Sequence, residues 1–179
     1  VKTPMDYNLA IEIAKDIISV PNCEVLLSGE KTAYIMPKTE EYLIRMTKVV
    51  QYKTTIIKSL DEIQEDILKV SVCDLSGIAN SEKDFADKWS DKAAAAVSGD
   101  QYMDFMDLCV SKGDALKKVQ KIYGIDRSEC MAFGDNYNDC EMLKQAEFSY
   151  AMASAADDIK KNALYVTDSV EKILRGELL

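Results

Sequence analysis

Histidine does not occur anywhere in this sequence of 179 residues. Its absence excludes Ser-His-Asp and Cys-His catalysis within the chain, and any histidine-ligated zinc. Cations are also few. Against 31 Asp and Glu there are 22 Lys and Arg, which gives a net charge of −9 and a pI near 4.6. Nucleic acids and anionic membranes both reward basic patches, so neither is expected as a partner. No run of about 18 apolar residues exists, so no transmembrane helix is expected. The first residues show no signal-peptide pattern. The five cysteines are odd in number, scattered and without a C-x-x-C pair, which suits small buried residues in a reducing cytosol. A cytoplasmic protein is therefore expected.

What is present divides into two patterns. Up to about residue 108 the chain alternates helices with hairpins. Leu9, Ile11, Ile13, Ala14, Ile17 and Ile18 share a helical face that ends before Pro21. Residues 23–27 and 32–36 read as a hairpin around Ser28-Gly29-Glu30-Lys31. A second helix opens at Pro37-Lys38-Thr39-Glu40, with Tyr42, Leu43 and Met46 inward. Residues 49–57 are β-rich, 60–63 begin a short helix, and 67–73 read as a strand. A helix around 81–92 carries Phe85 and Trp89, and 93–97 with 102–108 form a second strand pair. This is an α+β arrangement with antiparallel pairs. A strand–turn–helix pattern replaces it afterwards, so the boundary is placed in the stretch 104–111, between domains 1–103 and 104–179.

Two motifs in the second part carry chemistry. Cys130-Met131-Ala132-Phe133 reads as a buried strand, and Gly134 permits a sharp exit. Asp135, Asn136, Asn138 and Asp139 follow, and Cys140, Met142 and Leu143 begin a helix. Ligands of open α/β sheets sit beyond the carboxyl ends of the strands, where Asp135 and Asp139 would project. Their hard oxygens suit Mg²⁺. The same residues are also ordinary turn formers. An EF-hand is excluded, because Tyr137 and Cys140 stand where Asp/Asn and Gly belong. Upstream, Ser111-Lys112-Gly113-Asp114 precedes an apolar helical stripe of Ala115, Leu116, Val119, Ile122 and Tyr123. Ser111 and Asp114 form a near capping box. Lys112 falls in the first helical turn, where a cation opposes the dipole. It is either a solvated lysine or, with the helix N-terminus and Gly113, an anion holder.

Ser-Lys-Gly on a helix start, followed about twenty residues later by Gly-Asp-Asn-Tyr-Asn-Asp, resembles the haloacid dehalogenase superfamily, most of all its Cof-type phosphatases. Residues 148–153 and 165–167 resemble that family's next two core strands. The resemblance implies an α/β fold with a Rossmann-type core, of which this chain carries the C-terminal half, and an α+β cap that selects substrate. It implies a Mg²⁺-dependent phosphatase acting on a small phosphorylated metabolite, a sugar phosphate by family analogy, through an aspartyl-phosphate. Lys112 would bind a phosphoryl oxygen and restrain the nucleophile. Asp135 would ligate Mg²⁺, with Asp139 and Asn138 ordering the metal, its water, Lys112 or the phosphoryl group. The family often carries Ala-Met-Gly-Asn-Ala where this chain has Ala151-Met152-Ala153-Ser154-Ala155.

By the same resemblance, the nucleophile sits in an Asp-x-Asp motif upstream of the cap, and this chain begins where the cap should. The nearest internal substitute is the strand ending at Asp74, but its third position is Ser76 and it falls within the cap. The chain alone is therefore expected to be inactive. Its incomplete core would expose a sheet edge and apolar surface, which favours self-association. The competing expectation is a non-catalytic binding or regulatory module that keeps the fold.

Overall fold

The computed structural model describes residues 2–50 and 53–176 and divides into two compact units, Lys2–Cys109 and the chain from Val110 onward. In the first unit Ala10, Ile13, Ala14 and Ile17 recur at helical spacing and are fully buried on α1, Tyr7–Ser19. The Asp6 carboxylate caps that helix by accepting the Leu9 N–H at 2.9 Å. Strand β1, Cys23–Gly29, turns back antiparallel into β2, Ala33–Ile35, which is the expected hairpin.

Thr39 then caps α2, Glu40–Ile44, accepting the Tyr42 N–H at 3.2 Å. The helix widens into a π-type turn over Arg45–Val49 that keeps Met46 inward. Of the β-rich stretch 49–57, β3 occupies Thr54–Ile56 and pairs parallel with β2; residues 51 and 52 lie outside the described residues. Strand β4 is Ile67–Asp74, α3 is Glu82–Trp89, and β5 and β6, Ala94–Gly99 and Tyr102–Met106, close the unit. The six strands order as β3-β2-β1-β4-β6-β5.

Strand alternation sorts this sheet cleanly. Val25, Leu27, Val70, Val72, Met103 and Phe105 face α1 and α3 in one large core. Leu26, Ala33, Ile35 and Cys73 face Tyr42 and Met46 on the other side. Phe105 lies fully buried in β6, so residues 104–106 belong to this sheet and a boundary at 103/104 would cut the strand. Glu24, buried within β1, accepts the backbone N–H groups of Lys38 and Thr39, each at 2.9 Å, and so fixes the entry to α2.

The second unit contains α4 (Lys112–Tyr123), β7 (Met131–Gly134), α5 (Cys140–Gln145), β8 (Phe148–Met152), α6 (Asp157–Lys160), β9 (Tyr165–Thr167) and α7 (Val170–Leu174). Strands β7, β8 and β9 lie parallel in that order, so β7–α5–β8 is the anticipated βαβ unit. Cys130, Ala132, Leu143 and Ala146 form its small core, joined by Leu116.

The stripe expected on α4 does not form that core. Only Leu116 of the five residues packs inward, while Ile122 and Tyr123 are 59% and 73% exposed. The inward positions are Gly113 and Gln120. Gln120 Oε1 accepts a bond from the Gln145 amide at 2.6 Å, so a polar pair replaces the predicted apolar contact. No helix among the described residues is long and apolar enough to cross a membrane.

Candidate active site

Lys112 is the first residue of α4, and Ser111 caps it by accepting the Asp114 N–H at 3.1 Å. The Asp114 carboxylate does not close a capping box; it lies 3.3 Å from Lys117 Nζ. Ser111 Oγ instead donates to Glu141 Oε2 on α5. Two helix starts are thereby tied together, which sequence spacing alone does not announce. Gly113 makes the approach possible. A Cβ there would stand 2.6 Å from Glu141 Cβ and 2.9 Å from its carbonyl carbon. The close approach expected of Gly113 is thus to α5.

The approach of the helices brings Lys112 to Asp139. The Lys112 ammonium bonds Asp139 Oδ1, and the other oxygen, Oδ2, accepts the N–H groups of Asp135 and Asn136 at 3.0 and 3.2 Å. Asp139 is 4% exposed. Burial acts to raise its pKa, but the Lys112 bond and the two backbone N–H groups outweigh burial and hold the carboxyl below its ordinary value. The carboxylate also relieves the lysine, whose charge opposes the α4 dipole by up to about 1 kcal/mol.

Gly134 is required by the same group. A Cβ at Gly134 would lie 2.5 Å from Asp139 Cβ and 3.0 Å from its Cγ. The glycine admits the returning aspartate, which is a more specific role than a sharp turn.

Asp135 is held by its backbone at the carboxyl end of β7, with its own side chain exposed. No hydrogen bond to its carboxylate occurs among the described residues. Asn138 is exposed on the same turn. The four predicted residues therefore separate: Lys112 and Asp139 are paired, Asp135 stands open, and Asn138 faces solvent. Tyr137 was missed from sequence; its hydroxyl donates to Asp158 at 2.9 Å across a separation that no local pattern signals.

Among the described residues no group of three or more His, Cys, Asp or Glu could hold a metal ion. A single exposed carboxylate at a strand end still fits Mg²⁺, which keeps most of its waters and takes one or two protein carboxylates. Asp139 is less suited to that task, since both of its oxygens are already engaged. Asp74, the nearest internal substitute for the nucleophile and set aside on sequence because Ser76 follows it, is 3% exposed. Its carboxylate accepts the Ser76 N–H and hydroxyl and the Ser81 hydroxyl, as a turn-holding aspartate does.

A family model for haloacid dehalogenase-like hydrolases matches residues 1–173. The chain belongs to this family. In an alignment 176 residues long that covers 92% of the chain, it is 27% identical to the Escherichia coli phosphatase YbjI, named for 5-amino-6-(5-phospho-D-ribitylamino)uracil. The chain spans 65% of that relative's length. Among solved structures, SMU.1108c from Streptococcus mutans superposes with a TM-score of 0.80 at 26% identity, covering 99% of this chain and 70% of that one. The subclass IIB sugar phosphatase BT4131 superposes at 0.79 and 17% identity, covering 98% and 68%. At that identity the likeness concerns the fold. The Cof-type, α/β haloacid dehalogenase-like reading made from residues 111–114 and 134–139 stands with these matches.

Proposed function

We propose that the chain is part of a Mg²⁺-dependent phosphatase that hydrolyses a small phosphorylated metabolite, with a sugar phosphate as the favoured class. The observation that carries this is the Lys112–Asp139 pair at the carboxyl end of β7, beside the open carboxylate of Asp135. In this reading Lys2–Cys109 is the substrate-selecting cap, and the residues from Val110 onward are the C-terminal half of the core. The family's nucleophilic aspartate lies outside the chain.

Phosphoryl transfer asks the protein mainly for positioning and charge neutralisation. Lys112 presents a cation to a phosphoryl oxygen, and Asp139 holds that ammonium in place. The same Asp139 fixes the backbone of Asp135 and Asn136, which sets the carboxylate of Asp135 beyond the strand. Asp135 would hold Mg²⁺, and the bound ion would neutralise charge on the phosphoryl oxygens. Asn138 supplies an amide at the same turn for ordering water or a phosphoryl oxygen. The chain by itself lacks the group that accepts the phosphoryl, so it binds and positions without turning over. The reading extends to association with a second copy through apolar surface left open in the second unit.

The test joins this chain to an upstream segment bearing Asp-x-Asp. In that protein Asp135→Ala should remove most Mg²⁺ affinity by calorimetry, and Lys112→Met should slow hydrolysis of an aryl phosphate by two orders of magnitude or more, about the effect of losing one electrostatic stabiliser. Unchanged Mg²⁺ binding in the first variant would sink the metal assignment. The unextended chain should release no phosphate. Metal-dependent turnover by it, abolished by Asp74→Asn, would place the nucleophile inside these residues.

A further inference from the structure

At the amino ends of β7, β8 and β9, the end opposite Asp135, the second unit gathers cations. Arg127 stands on the turn Arg127–Glu129 that leads into β7. Lys144 lies in the last turn of α5, and Lys161 follows α6 as its C-terminal cap residue. With Glu147, Ser149 and Leu164 they line a cavity of about 290 Å³. Three cations meet one carboxylate there, in a chain whose net charge is −9. The volume is just under the roughly 300–1,000 Å³ of pockets for drug-sized ligands, so a compact metabolite fits it.

Little within the protein answers these charges. Among the described residues neither Lys144 nor Lys161 has an ion-pair partner. Arg127 Nε lies 3.8 Å from Glu147 Oε2, beyond hydrogen-bonding distance. The two lysines also complement the carbonyl ends of α5 and α6, helices of six and four residues. A lysine in that role keeps donors to spare, because an ammonium carries three. Ser149, on the cavity wall, is 4% exposed, and its hydroxyl oxygen accepts the Leu164 N–H at 3.0 Å. Its own proton has no acceptor among the described residues. Every uncommitted polar group named here is therefore a donor, which selects an anion. The cations come from three separate elements, so their charge is spread around the cavity. Phosphate concentrates its charge on one centre. Two or three carboxylates on a carbon frame distribute it, one can take the arginine fork, and Leu164, 60% exposed, offers apolar surface to the frame.

From this arrangement we infer that the cavity bounded by Arg127, Lys144 and Lys161 binds a small polycarboxylate, a molecule with two or three carboxylates on a short carbon frame. The cavity lies wholly within the second unit and shares no residue with the candidate active site. It can therefore be tested whether or not the phosphatase reading holds.

The experiment titrates the whole chain with citrate and with succinate, at an ionic strength held constant with sodium chloride, and follows the backbone amide shifts. Inorganic phosphate is the comparator. Saturable shifts are expected at Arg127, Lys144, Glu147, Ser149 and Lys161, with citrate bound more tightly than phosphate. Lys144→Gln and Lys161→Gln should each weaken citrate about fivefold, the effect of losing one exposed charge contact. Lys121→Gln removes the same charge from the exposed last turn of α4, outside the cavity, and should change binding by less than about twofold. Glu147→Gln should tighten citrate about threefold, because the carboxylate beside Arg127 is gone. A gain of affinity cannot come from lost structure, so this variant decides the matter even if a lysine variant fails to fold. The inference is overturned if neither polycarboxylate saturates, if phosphate binds more tightly than citrate, or if the shifts centre on Asp135 and Asp139 instead. It is equally overturned if Lys121→Gln weakens binding as much as Lys144→Gln does, or if Glu147→Gln brings no gain.

Discussion

The two units both lay helices on a sheet, but they finish their cores differently. Lys2–Cys109 uses both faces of its six strands: α1 and α3 seal one, and α2 with its π-type turn covers part of the other. Ile13, Leu27, Val72 and Phe105 are fully buried there. The second unit has three parallel strands with one face covered. Ala132 and Ala151 are buried on that face, while Phe133, Tyr150 and Tyr165 stack on the other with centroids 5.1 Å apart and remain partly or largely exposed. Parallel sheets are ordinarily covered on both sides. The contrast teaches that the candidate active site does not draw its order from a large core. It is ordered by a buried carboxylate and by two glycines that let backbone and side chain approach closely.

The largest effect should separate the cores. Phe105→Ala in the first unit should cost about 3–5 kcal/mol, as truncation of a buried aromatic does. Phe133→Ala on the open stack should cost under about 1 kcal/mol, near the range of surface changes. Denaturant unfolding followed by circular dichroism, with the sole tryptophan Trp89 reporting on the first unit, measures both. Equal costs would break the comparison.

Next in size is the glycine contact. Gly134→Ala should destabilise the second unit by about 1–3 kcal/mol, the usual range for overpacking, because Asp139 must move away from the new methyl group. Amide shifts of Asp135 and Asn136 should change, since both lose their acceptor, while those of β1 and β4 should not. If the alanine is accepted silently, the aspartate is not held as described.

Protonation sharpens the same point. The folded pKa of Asp139 lies below its ordinary value of 3.8. Its contribution to stability is thus present above about pH 4 and is lost as pH falls through the depressed folded value. An acid titration read at the Asp135 and Asn136 amides should show a midpoint below 3.8 in the parent and a higher one in Lys112→Met, which removes a stabilising partner. A midpoint unmoved by that substitution would mean that the ammonium contributes nothing to the site. The smallest effect is expected from Tyr165→Ser. It should reduce concentration-dependent association in sedimentation velocity with little change in stability, because that ring is 46% exposed.

The sequence by itself determined the local elements and the chemistry-bearing motifs. Alternation and helical spacing located α1, the β1–β2 hairpin and β4, because each pattern needs only neighbours within one or two turns. Ser-Lys-Gly and Gly-Asp-Asn-Tyr-Asn-Asp marked the site, because their spacing is itself the signal. Tertiary structure alone decided what those residues touch. Lys112 meets Asp139 across 27 positions, and Gly113 and Gly134 are explained by Glu141 and Asp139 pressing against them. The apolar stripe on α4 was legible as a pattern, but its burial was not, since burial depends on whether another element covers it. The ion pair of Lys69 and Asp104 was hidden for a similar reason, since only strand pairing places β4 beside β6.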